Sequence, residues 1–270
     1  MKIGSFNQFS LLNQLAGSQK KLQLGFNMLS SGKKPFSLNP ANSAIATGLS
    51  SQIKSLAQVN QGINLSKMAL TTADGALASV GKDLQDLRDL ALQAMNGGDS
   101  LDALNDQAQS LLANIDASSK NTNFNGNKLL DGSFQQSTNL DPNAKSSLNI
   151  SLSSSSLKSL GLEGLDISTP EKAEAALEKI DEAIQKNLEA RSGIGAKQSA
   201  LQSATNTNLV AIENLSSAAS QLTDVDYAKT ISEFQLNAFK FQSQVALLNL
   251  QNQMFKSISQ LLIGKLSGKS

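Results

Sequence analysis

Apolar residues recur at seven-residue intervals through positions 45–96, the longest regular pattern in the chain. One series is Leu49, Leu56, Ile63, Leu70, Leu77, Leu84 and Ala91, and a second, three positions later, is Gln52, Val59, Ser66, Ala73, Val80, Leu87 and Ala94. This repeat predicts a helix with a coiled-coil-like seam. At 1.5 Å per residue the helix is about 75 Å long, which is too long for a compact globular domain and indicates a rod.

Two further stretches with helical spacing complete the predicted rod. The turn residues at 96–99 end the first helix, and we expect a shorter helix over about 100–119. A third is expected over about 170–222, because Ser168-Thr169-Pro170-Glu171 combines an N-cap residue, an early proline and an acid. The apolar positions are Leu101, Leu104, Ala108, Leu111 and Ile115 in the shorter helix, then Leu177, Ile180, Ile184, Leu188, Leu201, Ile212, Leu215, Ala219 and Leu222 in the longer.

Residues 120–167 have a different, serine-rich pattern. Asn125-Gly126 and Asp131-Gly132 are turn dipeptides of the kind that join antiparallel strands. Leu148, Ile150 and Leu152 alternate with polar residues, as in a half-buried strand. The segment is predicted to form a small β-rich cap at the end of the rod.

Both ends of the chain carry apolar residues at helical spacing. Thr223-Asp224-Val225-Asp226 fits a capping box, so we expect a helix to restart there. The apolar residues are Tyr227, Phe234, Phe241, Leu248, Phe255 and Leu262 at strict sevens, and Leu11, Leu15, Leu22, Phe26 and Leu29 near the other terminus. A narrow seam cannot be buried in an isolated helix, so both segments need a partner surface. For the middle helices we expect that partner within the chain, and for the ends we expect other copies.

The absence of cysteine and histidine removes many kinds of catalytic and binding site. Disulfides, thiolate nucleophiles, imidazole bases and Cys/His zinc sites are all excluded. Paired acids at Asp224 and Asp226 are better explained by helix capping than by hydrolysis. Carboxylate, Ser/Lys or Tyr chemistry remains open on composition alone. No catalytic, cofactor-binding or metal-binding residue is singled out, and we expect the protein not to be an enzyme.

Charge is segregated although the net charge is only +1. No acid occurs before Asp74 or after Glu233, so the ends carry +11 and the middle −10. The lysines are scattered and no nucleic-acid-binding motif accompanies them, which argues against that partner. Neither an apolar signal core nor a span of about 18 apolar residues is present, so these patterns alone predict a soluble cytoplasmic protein without stable membrane insertion.

Several motifs resemble the two terminal regions of bacterial flagellins. The N-terminal motifs are Leu29-Ser30-Ser31-Gly32-Lys33, Thr72-Ala73-Asp74-Gly75-Ala76-Leu77, the stretch 84–97 and Asn123-Phe124-Asn125-Gly126-Asn127-Lys128-Leu129-Leu130. The C-terminal motifs are Gly195-Ala196-Lys197-Gln198, the stretch 214–220, Asp224-Val225-Asp226-Tyr227-Ala228 and residues near Asn252-Gln253 and Leu261-Leu262. They occur in the family's order, and the short separation between the two regions implies a form without the outer variable domains.

The resemblance implies a mainly α-helical subunit of a secreted, extracellular flagellar filament. It implies a long antiparallel helical rod at 45–222 with the β-rich cap, and a terminal assembly domain with a spoke formed by 1–44 and 223–270. Export would use the flagellar type III system without a cleaved signal. Expected partners are other copies in a helical homo-polymer, hook-associated and capping proteins, and an export chaperone on the C-terminal helix.

We expect the apolar faces of the terminal helices to be buried on self-assembly. The expected contact residues are Phe6, Phe9, Leu15, Leu22, Phe26, Leu29, Tyr227, Phe234, Phe241, Leu248, Phe255 and Leu262. Where the family usually has a longer run, this chain has Lys34 to Asn42 with two prolines, which predicts an extended spoke.

Other functions also remain open at this point. Arg88 and Leu90 match a stretch of the family sensed by an animal innate immune receptor, although Asp86 and Gln107 depart from the residues common there. The alternatives to a filament subunit are a hook–filament junction protein, which shares the helical termini, and a basic amphipathic protein of membrane surfaces.

Overall fold

The structure is a computed structural model that describes the backbone of residues 2–97 and 100–267, with the side chains of 9–97 and 100–261. The chain divides into two compact units. The terminal unit comprises 1–50 and 216–270, and the rod unit comprises 51–215. Each unit is taken by itself below.

Long α-helices dominate the described residues, which confirms the predicted fold class. The helices are α1 (Lys2–Ser31), α2 (Pro40–Met95), α3 (Leu101–Asn121), α4 (Leu157–Leu160), α5 (Pro170–Thr223) and α6 (Tyr227–Ser267). The strands are β1 (Asn123–Phe124), β2 (Asn127–Lys128), β3 (Gln135–Asn139) and β4 (Ser147–Ser151), and they form two separate two-stranded antiparallel sheets.

The prolines between α1 and α2 interrupt the helix as predicted, but the extended spoke expected from Lys34 to Asn42 is wrong, because 36–38 form a 3₁₀ turn and residues from Pro40 onward are helical. A 3₁₀ turn at Phe36–Leu38 follows Pro35, and α2 begins at Pro40. Proline suits this first helical position because its missing N–H needs no partner there. Asn39 caps the helix, since its Oδ1 accepts a hydrogen bond of 3.1 Å from the backbone N–H of Asn42.

The heptad seam of α2 forms the centre of the rod unit. From residue 56 onward every member of the first predicted series is buried, and from Ser66 onward so is every member of the second. One core cluster joins α2 to α3, α4 and α5, and the other joins α2 and α5 to the cap. The seven-residue pattern of this helix was therefore a correct guide to its buried face.

The buried face of α5 agrees with the predicted one at Ile180 and Leu201 and differs from it elsewhere. Leu188 is 50% exposed, while Leu177 and Ile184 are only half-buried at the edge of the core. The buried residues are Ala173, Ala176, Ile180, Ala183, Asn187, Ile194, Leu201 and Asn208. Several of them are small, which lets helices approach closely, and a pattern search based on large apolar residues does not detect them.

Buried polar side chains connect the rod helices to the cap. Asn208 Nδ2 on α5 donates to Asn60 Oδ1 on α2 at 3.0 Å and to the carbonyl of Leu140 at 3.1 Å. The hydroxyls of Ser66 on α2 and Thr138 on β3 lie 2.6 Å apart. Because buried polar groups are costly when unpaired, these bonds favour one alignment of α2, α5 and the cap.

The cap is built from two hairpins. Asn125 and Gly126 have φ angles of 50° and 82° and connect β1 to β2, as the Asn-Gly dipeptide predicts. This two-residue loop suits the twist of a hairpin, because both central residues adopt positive φ. β3 pairs with β4 in the register Gln136 to Ile150, and Ile150 is buried.

The segment before α5 is held by an ion pair. Lys172 Nζ lies 2.6 Å from Asp166 Oδ2, and the backbone N–H of Ser168 donates to Asp166 Oδ1 at 2.7 Å. Together these lower the pKa of Asp166 from 3.8 to about 2, with the hydrogen bond from Lys172 as the largest cause.

The helix restart near residue 226 is confirmed, but the predicted capping box is displaced. Thr223 is the last residue of α5, and its hydroxyl donates to the carbonyl of Ala219 at 2.9 Å. Asp226 caps α6 instead, accepting a hydrogen bond of 3.0 Å from the backbone N–H of Lys229. The Asp226 carboxylate thus serves the N-terminus of the helix that follows it.

Candidate assembly surface

Helices α1 and α6 lie antiparallel in the terminal unit. Gly25 of α1 packs against Phe234 of α6, and Gly32 lies against the hydroxyl of Tyr227, so α1 numbering rises as α6 numbering falls. Backbone bonds join the two arms near these ends. The N–H of Lys34 donates to the carbonyl of Thr223 at 2.7 Å, and that of Val225 donates to the carbonyl of Gly32 at 3.1 Å.

Half of the predicted assembly residues lie half-buried where α1 and α6 meet. These are Leu15, Leu22, Leu29, Phe234, Phe241 and Leu248. Leu22, Phe234 and Phe241 line one groove of the pair. In this structure a helix of the same chain therefore covers part of the seven-residue stripe of α6.

Four of the predicted residues are exposed. They are Phe9 and Phe26 on α1 and Tyr227 and Phe255 on α6. The side chains of Phe6 and Leu262 lie outside the described residues. The twelve residues thus do not share one environment.

A second apolar surface on α6 was not predicted. It consists of Leu236, Phe239, Leu247, Leu250 and Met254, each more than half exposed, and is called the outer face of α6 below. With Phe234 at heptad position a, Phe239 takes f, on the side opposite the seam. Leu236 and Leu250 take c, and each also borders an open groove beside α1. Leu247 and Met254 take g and border the same groove as Leu250, whose other wall includes Leu11 of α1.

The outer face could have been found by plotting α6 as a helix. Its members are spaced by three, eight, three and four residues, so they share one side of a helix without repeating every seven. The stronger periodicity of the aromatic series obscured it. On a soluble protein, an exposed apolar surface of this kind marks an interaction site.

The terminal unit is basic, with ten lysines and three acids for a net charge of +7. The seven lysines with described side chains are all exposed. Among the side chains that the structure describes, every ion pair lies in the rod unit. Copies brought together through their terminal units will therefore repel one another unless salt screens them.

A serine-lined groove beneath the cap is the place where catalysis would be sought in the rod unit. It contains Ser154, Ser159 and Lys186. Lys186 Nζ faces the carbonyls of Ser159 and Leu160 at 3.4 Å, and the Ser159 hydroxyl donates to the carbonyl of Ser154 at 2.8 Å. Neither hydroxyl is paired with the lysine, so this groove lacks the hydrogen bond that activates a serine nucleophile.

The described part of the chain lacks two other features, a carboxylate cluster for a metal ion and a membrane-spanning helix. No group of three or more acids is placed to hold a metal ion within the described ranges. Within those same ranges, no helix is both long enough and apolar enough to cross a membrane.

The two residues matched to immune recognition lie on α2 in the rod unit. Arg88 Nε donates to Asp181 Oδ1 at 2.7 Å, and this bond raises the pKa of Arg88. Leu90 is half-buried against the core. A role for either residue in receptor binding stays a prediction.

Comparison with known proteins gives one consistent family. The model of the bacterial flagellin N-terminal helical region matches residues 6–135, and that of the C-terminal helical region matches 177–262. The flagellin of Halalkalibacterium halodurans is 31% identical over 257 residues, covering 93% of each chain.

Solved structures agree with this family. The crystal structure of Bacillus cereus flagellin has a TM-score of 0.50 at 29% identity, covering 55% of this chain and 88% of that one. A putative flagellar hook-associated protein from Vibrio parahaemolyticus has a TM-score of 0.57 at 16% identity, covering 69% of this chain and 100% of that one. At that identity the second likeness concerns the fold alone.

Proposed function

The chain belongs to the bacterial flagellin family and is a structural subunit of the flagellar filament, and we propose that its copies join through the outer face of α6. The observation that carries this proposal is the second apolar side of α6, which α1 leaves uncovered. A helix with apolar residues on two sides needs two partners. α1 of the same chain supplies one, and a neighbouring copy supplies the other.

The assembly residues then have two roles. Leu15, Leu22, Leu29, Phe234, Phe241 and Leu248 hold α1 to α6, and the outer face, together with Phe9, Phe26, Tyr227 and Phe255, contacts other copies. Phe6 and Leu262 extend the two series toward the termini. We assign assembly to 1–44 and 223–270 and the stiffness of the subunit to the rod at 45–222.

The same uncovered surface would bind the other proposed partners, which are the export chaperone before assembly and the hook-associated and capping proteins at the two ends of the filament. An export chaperone would shield α6 and prevent premature polymerisation, since exposed apolar surface otherwise associates. Hook-associated and capping proteins would cover it at the first and last subunits. The subunit is exported and lies outside the cell, and we propose the flagellar type III system without a cleaved signal as the route.

We also propose that the protein is not an enzyme, a view that rests on the structural role of its family. The junction-protein alternative gains no observation of its own, because the hook-associated likeness concerns the fold alone. The membrane-surface alternative makes a separate prediction, namely partition of the purified protein onto anionic vesicles at moderate salt. If the purified protein polymerises and does not bind such vesicles, the membrane-surface alternative is excluded.

Deletion of residues 234–270 tests the proposal. It removes the outer face of α6 and leaves the rod unit, 51–215, intact. We expect the truncated protein to stay helical by circular dichroism and to stay in the supernatant under conditions where the full chain sediments. Electron microscopy should show uniform filaments from the full chain only. Filaments from the truncated protein would overturn the proposal.

A further inference from the structure

Small residues of α1 and of the turn that follows it lie opposite aromatic residues of α6 at matched intervals. Gly25 is buried, and a Cβ added to it would lie 3.1 Å from Phe234 Cδ2. Seven residues on, a Cβ at Gly32 would lie 2.9 Å from the hydroxyl of Tyr227. At Gly25 a glycine therefore occupies the position where an aromatic ring of the other helix comes closest to the backbone.

The same interval continues one step further along the pair. Ser18 precedes Gly25 by seven residues, Phe241 follows Phe234 by seven, and both are half-buried. In an antiparallel pair these two positions fall at one level. Larger residues separate the small ones on α1, because Leu22 and Leu29 occupy the seam between them. A shift of three or four residues would place Phe234 against one of these leucines.

The backbone bonds near Gly32 limit a full seven-residue shift. Val225 and Lys34 tie the end of α1 to the start of α6, so sliding by one heptad breaks both bonds. Gly32 also has a φ of 69°, which ends the helix there and leaves no further helical turn to slide along. The gap at Gly25 therefore disfavours shifts of three or four residues, and the two backbone bonds disfavour a shift of seven.

We propose that insertion of Phe234 into the gap at Gly25 sets the register and separation of α1 and α6, and through them the surface presented to other copies. This inference rests on the proposed function. The groove that Leu247 and Met254 share with Leu11 is lined by both helices, so a change of register changes its lining. A bulkier residue at 25 displaces α6 and breaks up that surface, even though most other residues form helix better than glycine does.

A size exchange across the seam tests the inference. Gly25→Leu fills the gap, and Gly25→Leu combined with Phe234→Ala moves the bulk from one helix to the other. Gly17→Leu is the matched control, because a Cβ at Gly17 of the same helix meets nothing within 4 Å. Circular dichroism of each variant confirms that the rod unit remains folded.

Register is read by cross-linking in the polymer, assembled above the critical concentration from a small fraction of the cysteine-containing protein and an excess of the same variant without cysteine. The chain has no cysteine, so Leu22→Cys with Ala238→Cys, which line one groove, reports the observed register without background. Leu22→Cys with Val245→Cys reports a shift of one heptad. With a short thiol-reactive linker we expect the first pair to react at least about tenfold faster than the second in the parent and in the Gly17 control.

The inference predicts that Gly25→Leu abolishes this preference and raises the critical concentration for polymerisation by about tenfold or more, and that the size exchange restores both. Unchanged cross-linking in Gly25→Leu would overturn it, as would failure of the exchange to restore the preference. Polymerisation of the parent together with either result leaves the proposed function intact. A parent that never polymerises refutes the proposed function, and this inference with it.

Discussion

The substitution Phe239→Ala tests whether the outer face of α6 contributes to assembly and not to folding of the monomer. Phe239 is 69% exposed, at the centre of the outer face. A phenylalanine buries on the order of 200 Å² when fully enclosed, so about 140 Å² remains for a neighbouring copy to cover. At about 25 cal/mol per Å² this area is worth about 3.5 kcal/mol, of which alanine retains part.

The expected loss of assembly free energy is therefore about 2–3 kcal/mol, or a rise of about 30- to 150-fold in critical concentration. Folding of the monomer should change by less than about 0.5 kcal/mol, because the ring makes few contacts within the chain. Sedimentation at a series of protein concentrations measures the first quantity. Thermal unfolding followed by circular dichroism measures the second.

Phe241→Ala provides the contrast, because this ring is half-buried beside α1. It should weaken the α1–α6 pair in the monomer as well as assembly, with a loss of roughly 3 kcal/mol at most. An unchanged critical concentration in Phe239→Ala would refute the assignment of the outer face. A fall in monomer stability equal to that of Phe241→Ala would also refute it, since the two rings would then share one environment.

Three further predictions concern charge and the rod unit. Raising NaCl from about 0.05 to 0.5 M should lower the critical concentration by screening the basic terminal units, and a rise would contradict their placement near one another. The pKa of Asp166 is lowered to about 2, so its stabilising effect is present above about pH 4 and is lost as the pH falls through 2. Asp166→Asn should therefore be less stable than the parent at pH 5, and most of that difference should be gone at pH 2. Asn208→Ala should destabilise the monomer by about 2–4 kcal/mol, because Asn60 Oδ1 and the carbonyl of Leu140 lose their donor, whereas Leu209→Ala at the exposed neighbouring position should change stability by less than about 0.5 kcal/mol. Denaturant unfolding that fails to distinguish the last two variants would contradict the role of the buried amide.

Sequence patterning predicted α2 well because its seam is long and its buried residues are large. Positions 56 to 94 keep one face in the core for more than five heptads, so the periodic signal accumulates. The Asn125-Gly126 hairpin was predictable for a different reason. Both positions need a positive φ, which few residues adopt easily, and Asn-Gly is one of the few dipeptides that do.

The buried face of α5 was misjudged because its packing depends on small and polar residues. Ala176 and Ala183 are buried since helices come close there, and Asn208 is buried because two partners satisfy its amide. Both conditions are set by other elements of the rod unit. Nothing in the local sequence of α5 distinguishes these residues from exposed ones of the same type.

On α6, the sequence indicated that the helix is apolar without showing which side meets which partner. The seven-residue aromatic series was interpreted as a contact between copies, whereas Phe234 packs on Gly25 of the same chain. The glycine provides that information only when paired with its aromatic partner some 200 residues away. Long-range complementarity of this kind is set by the fold and is absent from local periodicity.

A helical reconstruction of the assembled filament by electron cryomicroscopy tests the central claim most directly. The account predicts that Leu236, Phe239 and Leu250 are buried against other copies, while Phe234 still packs on Gly25 of its own chain. A filament in which the outer face of α6 lines a solvent-filled channel, with copies joined elsewhere, would contradict it.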